Sequence, residues 1–202
     1  MGKNLIFSNL LRSLSEVLQP ETQDTGSPAD VRRTGVEVRL LGLALEGFSV
    51  LLMSRLRLQA VCGRCRKPLD FEVPSAGGTE ACTAPCVCPI CKQELALRVA
   101  PDICHGGCPT IAHVLGVNCH PVQFLRSDFQ GTCDNCSEDA CIRGAGAGYR
   151  KRAECPKCYA KLNLAIEGAE LLGPAVERWR KIAEEGGDQM NARKRLQEAR
   201  RQ

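Results

Sequence analysis

The chain has 202 residues, of which 44% are hydrophobic, 25% are charged and only 4% are aromatic. This composition excludes a disordered chain, and the length allows one substantial domain with appendages or two small domains that share a core. The formal net charge of +4 is modest, and the excess lies at the C-terminal end, where residues 149–202 contain 13 Lys and Arg against 8 Asp and Glu. No stretch is apolar and long enough to predict a membrane span. The 14 cysteines are the unusual feature of the sequence.

The N-terminal segment bears on the compartment. Its leucines follow an amphipathic helical pattern with polar residues between them, so it lacks the unbroken apolar run of a secretory signal. We therefore expect a reducing compartment, cytoplasmic or nuclear, in which cysteines remain thiols. A mitochondrial location is the alternative, because Lys3 and Arg12 lie on the same amphipathic pattern.

Both ends of the chain are predicted to be helical extensions. Residues 1–33 are predicted to form an amphipathic helix that Pro20 ends, followed by the polar linker PETQDTGSPAD. Residues 174–202 are predicted to form a basic helical tail, in which AVERWRKIAEE is a helix that begins just after Pro174.

Between these extensions, two halves show the same order of predicted elements. In residues 34–103, alternating apolar residues predict two strands joined across EGFS, then a CGRC turn, the strand KPLDFEV, a surface loop PSAGGTEACTAP, a CPIC turn and the strand ELALRVA. In residues 104–173 the order recurs, with CDNC, a loop CSEDACIRGAGAGYRKRAE, CPKC and the strand KLNLAIE. CPICKQELAL and CPKCYAKLNL also share a Leu-x-Leu at one offset. The sequence therefore predicts a mainly β fold with two zinc-ribbon-like halves.

The four Cys-x-x-Cys motifs are typical of zinc sites. Each motif offers two thiolates on a tight turn, and zinc prefers four such ligands in a tetrahedron, so two motifs complete one site. The intervals of 22 and 18 residues between the paired motifs suit a structural ribbon. We predict two structural zinc ions, and full coordination by thiolates leaves no open position for a substrate. The predicted ligands are Cys62, Cys65, Cys88 and Cys91 in the first site, and Cys133, Cys136, Cys155 and Cys158 in the second.

The remaining cysteines leave a third site open as an alternative. Cys104, Cys108, Cys119 and His120 are candidate ligands, but their spacing matches no ribbon or finger pattern, so free thiols and a surface imidazole are the simpler interpretation. Cys86 is an alternative ligand to Cys88. Neither an oxyanion-hole motif nor a phosphate-binding glycine loop is recognisable, so we predict that the chain is not an enzyme.

The segments LGLALEGFSVLL, RLRLQAVCGRC, CPICKQELALRV and TIAHVLGVNCHPVQF resemble the eukaryotic CXXC-motif-containing zinc-binding family. The resemblance covers roughly residues 36–130 and implies that the two halves form one β-sandwich or barrel, with zinc held by the four cysteines of the first site. It also implies a cytosolic protein that acts through protein contacts without known catalytic machinery. The second set of cysteine pairs and both helical extensions depart from the family pattern.

Three functions are therefore expected, in order. The first is a non-enzymatic module for protein–protein interaction within an assembly, in which zinc supplies folding energy that a core poor in aromatic residues lacks. The second is RNA or DNA binding through the basic C-terminal region, although few aromatic residues are available there for stacking on bases. The third is metal handling or thiol redox chemistry at the spare cysteines. The candidate nucleic-acid contacts are Arg150, Lys151, Arg152, Lys157, Lys161, Arg193, Lys194 and Arg195.

Overall fold

The protein is described by a computed structural model, which covers residues 27–75 and 78–184. The predicted N-terminal helix over residues 1–19 and the basic tail beyond residue 184 lie outside the described residues. The described chain is mainly β, as predicted, and its sheets curl into a half-barrel.

Two helices and thirteen strands make up the described chain. Helix α1 spans Pro28–Thr34 and helix α2 spans residues 176–184. The strands are β1 (Val36–Leu41), β2 (Ala44–Glu46), β3 (Phe48–Cys62), β4 (Pro68–Pro74), β5 (Cys82–Val87), β6 (Glu94–Pro101), β7 (Thr110–Val117), β8 (Cys119–Phe124), β9 (Ser127–Cys133), β10 (Asp139–Ala145), β11 (Tyr149–Glu154), β12 (Lys161–Ile166) and β13 (Gly168–Leu172).

The strands form three antiparallel sheets. The first sheet has the order β13-β1-β7-β6-β5, and the second has the order β10-β9-β3-β4, with β8 also paired to β3. The third sheet has the order β11-β12-β2. Strand β3 is 15 residues long and pairs with β9 near its start and with β4 and β8 near its end. It therefore links the two halves of the chain.

The core lies between the curled sheets and consists mostly of aliphatic side chains, as expected from a chain with so few aromatic residues. Strands β3, β6 and β7 show the alternation of buried and less buried residues that one covered sheet face produces. Leu51, Leu56 and Leu97 are fully buried, and Phe129 is the largest of the fully buried side chains. Cys133, Cys155 and Leu162 form a separate small cluster.

Two predicted loops contain three strands. Strand β5 lies in the region predicted as a loop ahead of CPIC, and β10 and β11 lie in the loop predicted ahead of CPKC. β5 pairs along its whole length with β6, and β11 does so with β12. The loop predictions were wrong because these strands take their structure from a neighbouring strand, and their own sequences lack apolar alternation.

The start of the folded body also differs from the prediction. Helix α1 lies where a linker was predicted: the hydroxyl of Ser27 accepts a hydrogen bond from the amide of Ala29, Pro28 occupies the first turn, and Val31 is fully buried. Strands flank EGFS as predicted, but the first is divided into β1 and β2, and β1, β2 and β3 belong to three different sheets. The helix predicted after Pro174 is confirmed as α2.

Candidate metal centres

The four Cys-x-x-Cys motifs fold into turns with one shared hydrogen-bond pattern. In the first turn, the amide of Cys62 donates to the carbonyl of Lys67 at 3.0 Å, and the amide of Arg66 donates back to the carbonyl of Cys62 at 2.9 Å. The same two bonds recur at 2.8–3.0 Å in the turns that begin at Cys88, Cys133 and Cys155. In every turn the fourth residue after the first cysteine has a left-handed backbone, with φ of 59° at Arg66, 59° at Lys92, 57° at Ser137 and 60° at Tyr159.

Each turn lies at the tip of a β-hairpin. The hairpins are β3–β4, β5–β6, β9–β10 and β11–β12. The registers of the second hairpin in each half agree: Val87 faces Glu94 immediately outside one turn, and Glu154 faces Lys161 immediately outside the other. The internal repeat seen in the sequence is therefore a repeat of backbone geometry.

The turns bring the eight predicted cysteines into two groups of four. In the first site, the distance between the Sγ atoms is 3.6 Å for Cys62 and Cys91 and 3.5 Å for Cys65 and Cys88. In the second site, it is 3.7 Å for Cys133 and Cys158 and 3.5 Å for Cys136 and Cys155. All four ligand atoms of each group lie within 4.8 Å of one another.

These distances fit a tetrahedral metal site. They are much longer than a disulfide bond of about 2.05 Å. They are close to the edge of about 3.8 Å that a tetrahedron with metal–sulfur bonds of about 2.3 Å would have. The first cysteine of every turn is buried and the second is partly buried. The residues present therefore fit an ion such as zinc in both sites.

The protonation pattern of the two sites is alike. The backbone amide of Cys91, joined by that of Ile90, lowers the pKa of Cys88 to about 6. In the second site, the side chain of Asn135 and the amide of Ala160 lower the pKa of Cys158 to about 6. Each site thus holds one thiol whose thiolate form is favoured by hydrogen bonds before any cation is bound.

A second thiol in each site has the opposite tendency. Desolvation raises the pKa of Cys65 to about 12. The amide of Glu138 favours the thiolate of Cys136, but desolvation and the neighbouring thiols outweigh it and raise the pKa of Cys136 to about 12. A bound cation would supply the positive charge that lets such crowded thiols lose their protons.

The candidate third site does not form. Among the residues that the structure describes, the two groups of four are the sets of His, Cys, Asp and Glu whose ligand atoms converge. Cys104 pairs through its backbone with Leu51, and Cys119 lies opposite Cys62 across β3 and β8. His120 stacks on Trp179 of α2 with ring centroids 3.8 Å apart. The alternative of Cys86 as a ligand is wrong, because Cys88 completes the first site.

The surroundings of the two sites differ, and the sequence did not predict this. Cys62 faces Cys119, whereas the equivalent Cys133 faces Phe48 at the other end of β3. The stack of His120 on Trp179 lies beside the first site only, since His120 is paired with Val61, the residue before Cys62. Residues 59 positions apart in sequence carry no local signal of such a contact.

Five of the basic residues predicted to contact nucleic acid lie in the described chain, all on the β11–β12 hairpin and its CPKC turn. Arg150, Lys151 and Arg152 are exposed on β11. Lys157 lies in the CPKC turn with its ammonium 3.3 Å from the carboxylate of Glu138, and Lys161 begins β12. Residues 193–195 lie outside the described residues.

Comparison with known proteins places the fold but not the family. No family model and no curated protein matches this chain. The crystal structure of C1orf123 is similar, with a TM-score of 0.52 and 14% identity over 69% of this chain and 98% of that one. At this identity the likeness shows the fold alone. The two cysteine groups support the predicted duplicated zinc-binding module, while membership of the CXXC-motif family stays a prediction. Within residues 27–75 and 78–184, no helix is long and apolar enough to cross a membrane.

Proposed function

We propose that the protein is a non-enzymatic zinc-binding module that holds two structural zinc ions and acts through contacts with other proteins in an assembly. The observation that carries this proposal is the pair of closed four-thiol groups, one near each end of β3.

The donor set favours zinc over other common cations. Calcium and magnesium prefer oxygen ligands, whereas four cysteine sulfurs in a tetrahedron favour zinc or an iron–sulfur centre. Paired Cys-x-x-Cys turns at hairpin tips, with amides that donate to the sulfurs, are typical of zinc ribbons.

The position of each site supports a structural role. The first site joins the β3–β4 hairpin of the second sheet to the β5–β6 hairpin of the first sheet. The second site joins the β9–β10 hairpin of the second sheet to the β11–β12 hairpin of the third sheet. An ion in either site would therefore connect two sheets, and its binding energy would be folding energy.

Exposed apolar side chains support a role in protein contacts. Val87, just before the CPIC turn, and Ile90, within it, are 56% and 59% exposed, and Tyr159, after the CPKC turn, is 75% exposed. Large apolar groups gathered at two hairpin tips, beside a rigid metal site, are suited to contact another protein.

Native mass spectrometry of the purified full chain, with and without a zinc chelator, tests the metal proposal. We expect two zinc ions per chain, and loss of β structure in circular dichroism when both are removed. A metal-free chain that stays folded, or an iron–sulfur absorption spectrum in the purified protein, would contradict structural zinc. Affinity purification of the zinc-loaded chain from cells tests the interaction role; a chain that remains a single species without bound protein would oppose it.

A further inference from the structure

Strands β5 and β11 are structural equivalents in the two halves, and they have diverged. Each leads into the second Cys-x-x-Cys turn of its site, and each pairs in the same register with the strand that follows that turn. Pro85 in β5 and Arg152 in β11 therefore occupy equivalent positions, three residues before the first cysteine of the turn.

Both strands are edge strands within the described chain, but only one edge is open. β5 ends the first sheet and β11 ends the third. Pro85 has no amide hydrogen, and the sequence of β5, CTAPCV, has no charge. β11, with the sequence YRKRAE, has no proline and carries three successive basic residues. Proline on an edge blocks pairing with a further strand, so β5 is closed to a partner and β11 is not.

The hydrogen-bond pattern shows which backbone groups of β11 are free. The amide of Cys155 donates to the carbonyl of Ala160. Residues of an antiparallel ladder alternate between bonded and non-bonded pairs, and β11 and β12 pair without a register shift. The amides and carbonyls of Arg150 and Arg152 therefore point away from β12, toward the open edge. The proline at the equivalent position of β5 agrees with this assignment, because an amide that points outward is not needed by the sheet.

A cleft lies beside this edge. Strands β10 and β11 are joined by only three residues, 146–148, yet β10 pairs with β9 and β11 pairs with β12. The space between them is small, with a cavity volume of about 50 Å³, and its lining includes the apolar side chains of Phe48, Ile142, Leu162 and Leu164. In the first half the equivalent strands, β4 and β5, lie against each other.

We propose that the open edge of β11 binds an extended acidic segment of a partner protein as an added β-strand. This inference rests on the proposed interaction function and names its surface and the chemistry of its partner. The backbone of the segment would bond to the free amides and carbonyls of Arg150 and Arg152.

The two faces of β11 set the side chains of that partner. Arg150 and Arg152 share the face of Asn163 and Ala165, so acidic side chains of the added strand lie beside the two guanidiniums. Lys151 and Ala153 share the other face with Leu164 and Leu162, next to the cleft, so apolar side chains of the strand lie over the mouth of the cleft.

The charge of the edge selects an acidic partner. Arg150, Lys151 and Arg152 are exposed, and in the described part of the chain no ion pair involves any of them. Successive uncompensated cations on an edge also oppose pairing between two copies of the same chain. Cations on the edge and apolar side chains lining the cleft together favour a segment in which acidic and apolar residues alternate.

The test uses the zinc-loaded full chain and a short fluorescent peptide in which glutamate and valine alternate. We expect saturable binding by fluorescence anisotropy, no binding of the peptide in which lysine replaces glutamate, and slower amide exchange in residues 149–154 when the glutamate peptide is bound. Arg152→Pro removes the outward amide and the charge, whereas the matched variant Arg152→Ala removes the charge alone. Arg152→Pro should weaken binding by about tenfold or more, and Arg152→Ala by about threefold.

Arg152→Pro is expected to fold, because β5 tolerates proline at the equivalent place. The double variant Arg150→Glu/Arg152→Glu gives a second measurement, since it keeps both amides and should reverse the preference toward the lysine peptide. Equal affinities of Arg152→Pro and Arg152→Ala for the glutamate peptide would overturn strand addition. Preferred binding of a single-stranded RNA oligonucleotide, reduced equally by both variants, would also overturn it and assign the basic strand to nucleic acid. Zinc content and circular dichroism are measured on the same samples, so a wild-type chain that keeps two ions and does not bind the glutamate peptide refutes this inference without refuting the structural zinc proposal.

Discussion

The two cysteine sites have the same internal geometry and different surroundings. Their turns share hydrogen bonds, left-handed residues and sulfur–sulfur distances of 3.5–3.7 Å. Cys62 and Cys88 belong to the main core, whereas Cys133 and Cys155 belong to a small cluster with Leu162. The comparison teaches that coordination geometry is a local property that duplication copied, while the contribution of each site to stability depends on the core around it.

Acidification addresses what the sites share and has the largest expected effect. Cys88 and Cys158 each have a pKa lowered to about 6 in the folded protein, below the ordinary value of 9.0. A lowered pKa contributes stability that is present above the ordinary pKa and is lost as pH falls through the folded value. Protons also compete with zinc for thiolates. The contribution of these two thiols is therefore lost as pH falls from about 9 to about 6, and we expect both ions to leave over one shared interval toward the acid end of this range, as followed by native mass spectrometry.

Release of the two ions over clearly separate pH intervals would contradict this expectation. It would show that the surroundings of the sites, and not their shared turns, control the competition between protons and zinc.

Loss of one ligand addresses how the sites differ. Cys62→Ser and Cys133→Ser should each leave one zinc ion per chain. Cys62→Ser should lower the free energy of unfolding by roughly 4 kcal/mol or more, because Cys62 lies in the main core between two sheets. Cys133→Ser should lower it by roughly 2 kcal/mol, because the small cluster at the second site can open locally. Denaturant unfolding followed by circular dichroism measures both values.

The exposed Cys141 gives a matched control, since Cys141→Ser should keep both ions and the wild-type unfolding curve. Equal losses of stability for Cys62→Ser and Cys133→Ser would show that the two sites are embedded equally well, against the comparison drawn from the core.

The sites were predictable from sequence because a Cys-x-x-Cys turn carries its own geometry. The amide bonds and the left-handed residue lie within six positions of the first cysteine, so the motif alone determines where the two sulfurs point. Strands β4, β6 and β12 were also predicted, because apolar residues alternate along them.

The parts that the sequence did not predict depend on distant partners. β11 is a strand because β12 pairs with it, although YRKRAE has no apolar alternation. Helix α1 did have a local signal, Ser27 followed by Pro28, but its polar neighbours favoured a linker. The burial of Val31, which fixes the helix against the sheets, is visible only in the structure. The contact of His120 with Trp179 joins β8 to α2, and it could not be predicted before the fold was known.

Removal of the α2 contact should affect the first site alone. Trp179→Ala removes the ring that stacks on His120, and we expect a loss of about 1–2 kcal/mol in the free energy of unfolding. Zinc should leave the first site faster in chelator, while release from the second site is unchanged. The two rates can be separated in the Cys62→Ser and Cys133→Ser backgrounds, each of which keeps one ion.

Lys181→Ala is the control for this effect, because Lys181 lies on the same helix and is exposed. Faster release from the second site in Trp179→Ala would mean that α2 stabilises the whole molecule and not one site.

The smallest effect concerns the left-handed residue of the turns. Lys92 and Ser137 are exposed, with φ of 59° and 57°, and a side chain in this region costs roughly 1 kcal/mol relative to glycine. A substitution by glycine removes this cost, but glycine also loses more backbone freedom on folding than other residues do. That loss opposes folding by roughly 0.5–1 kcal/mol and cancels most of the stabilisation. Lys92→Gly and Ser137→Gly should therefore each change the free energy of unfolding by no more than about 0.5 kcal/mol, in the stabilising direction and to the same extent. Lys92→Ala and Ser137→Ala keep the Cβ atom and should give no gain. The cost of the left-handed backbone belongs to the turn itself, so the two glycine variants should behave alike. If one variant raised the free energy of unfolding and the other lowered it, even the shared turn geometry would be strained differently in the two sites.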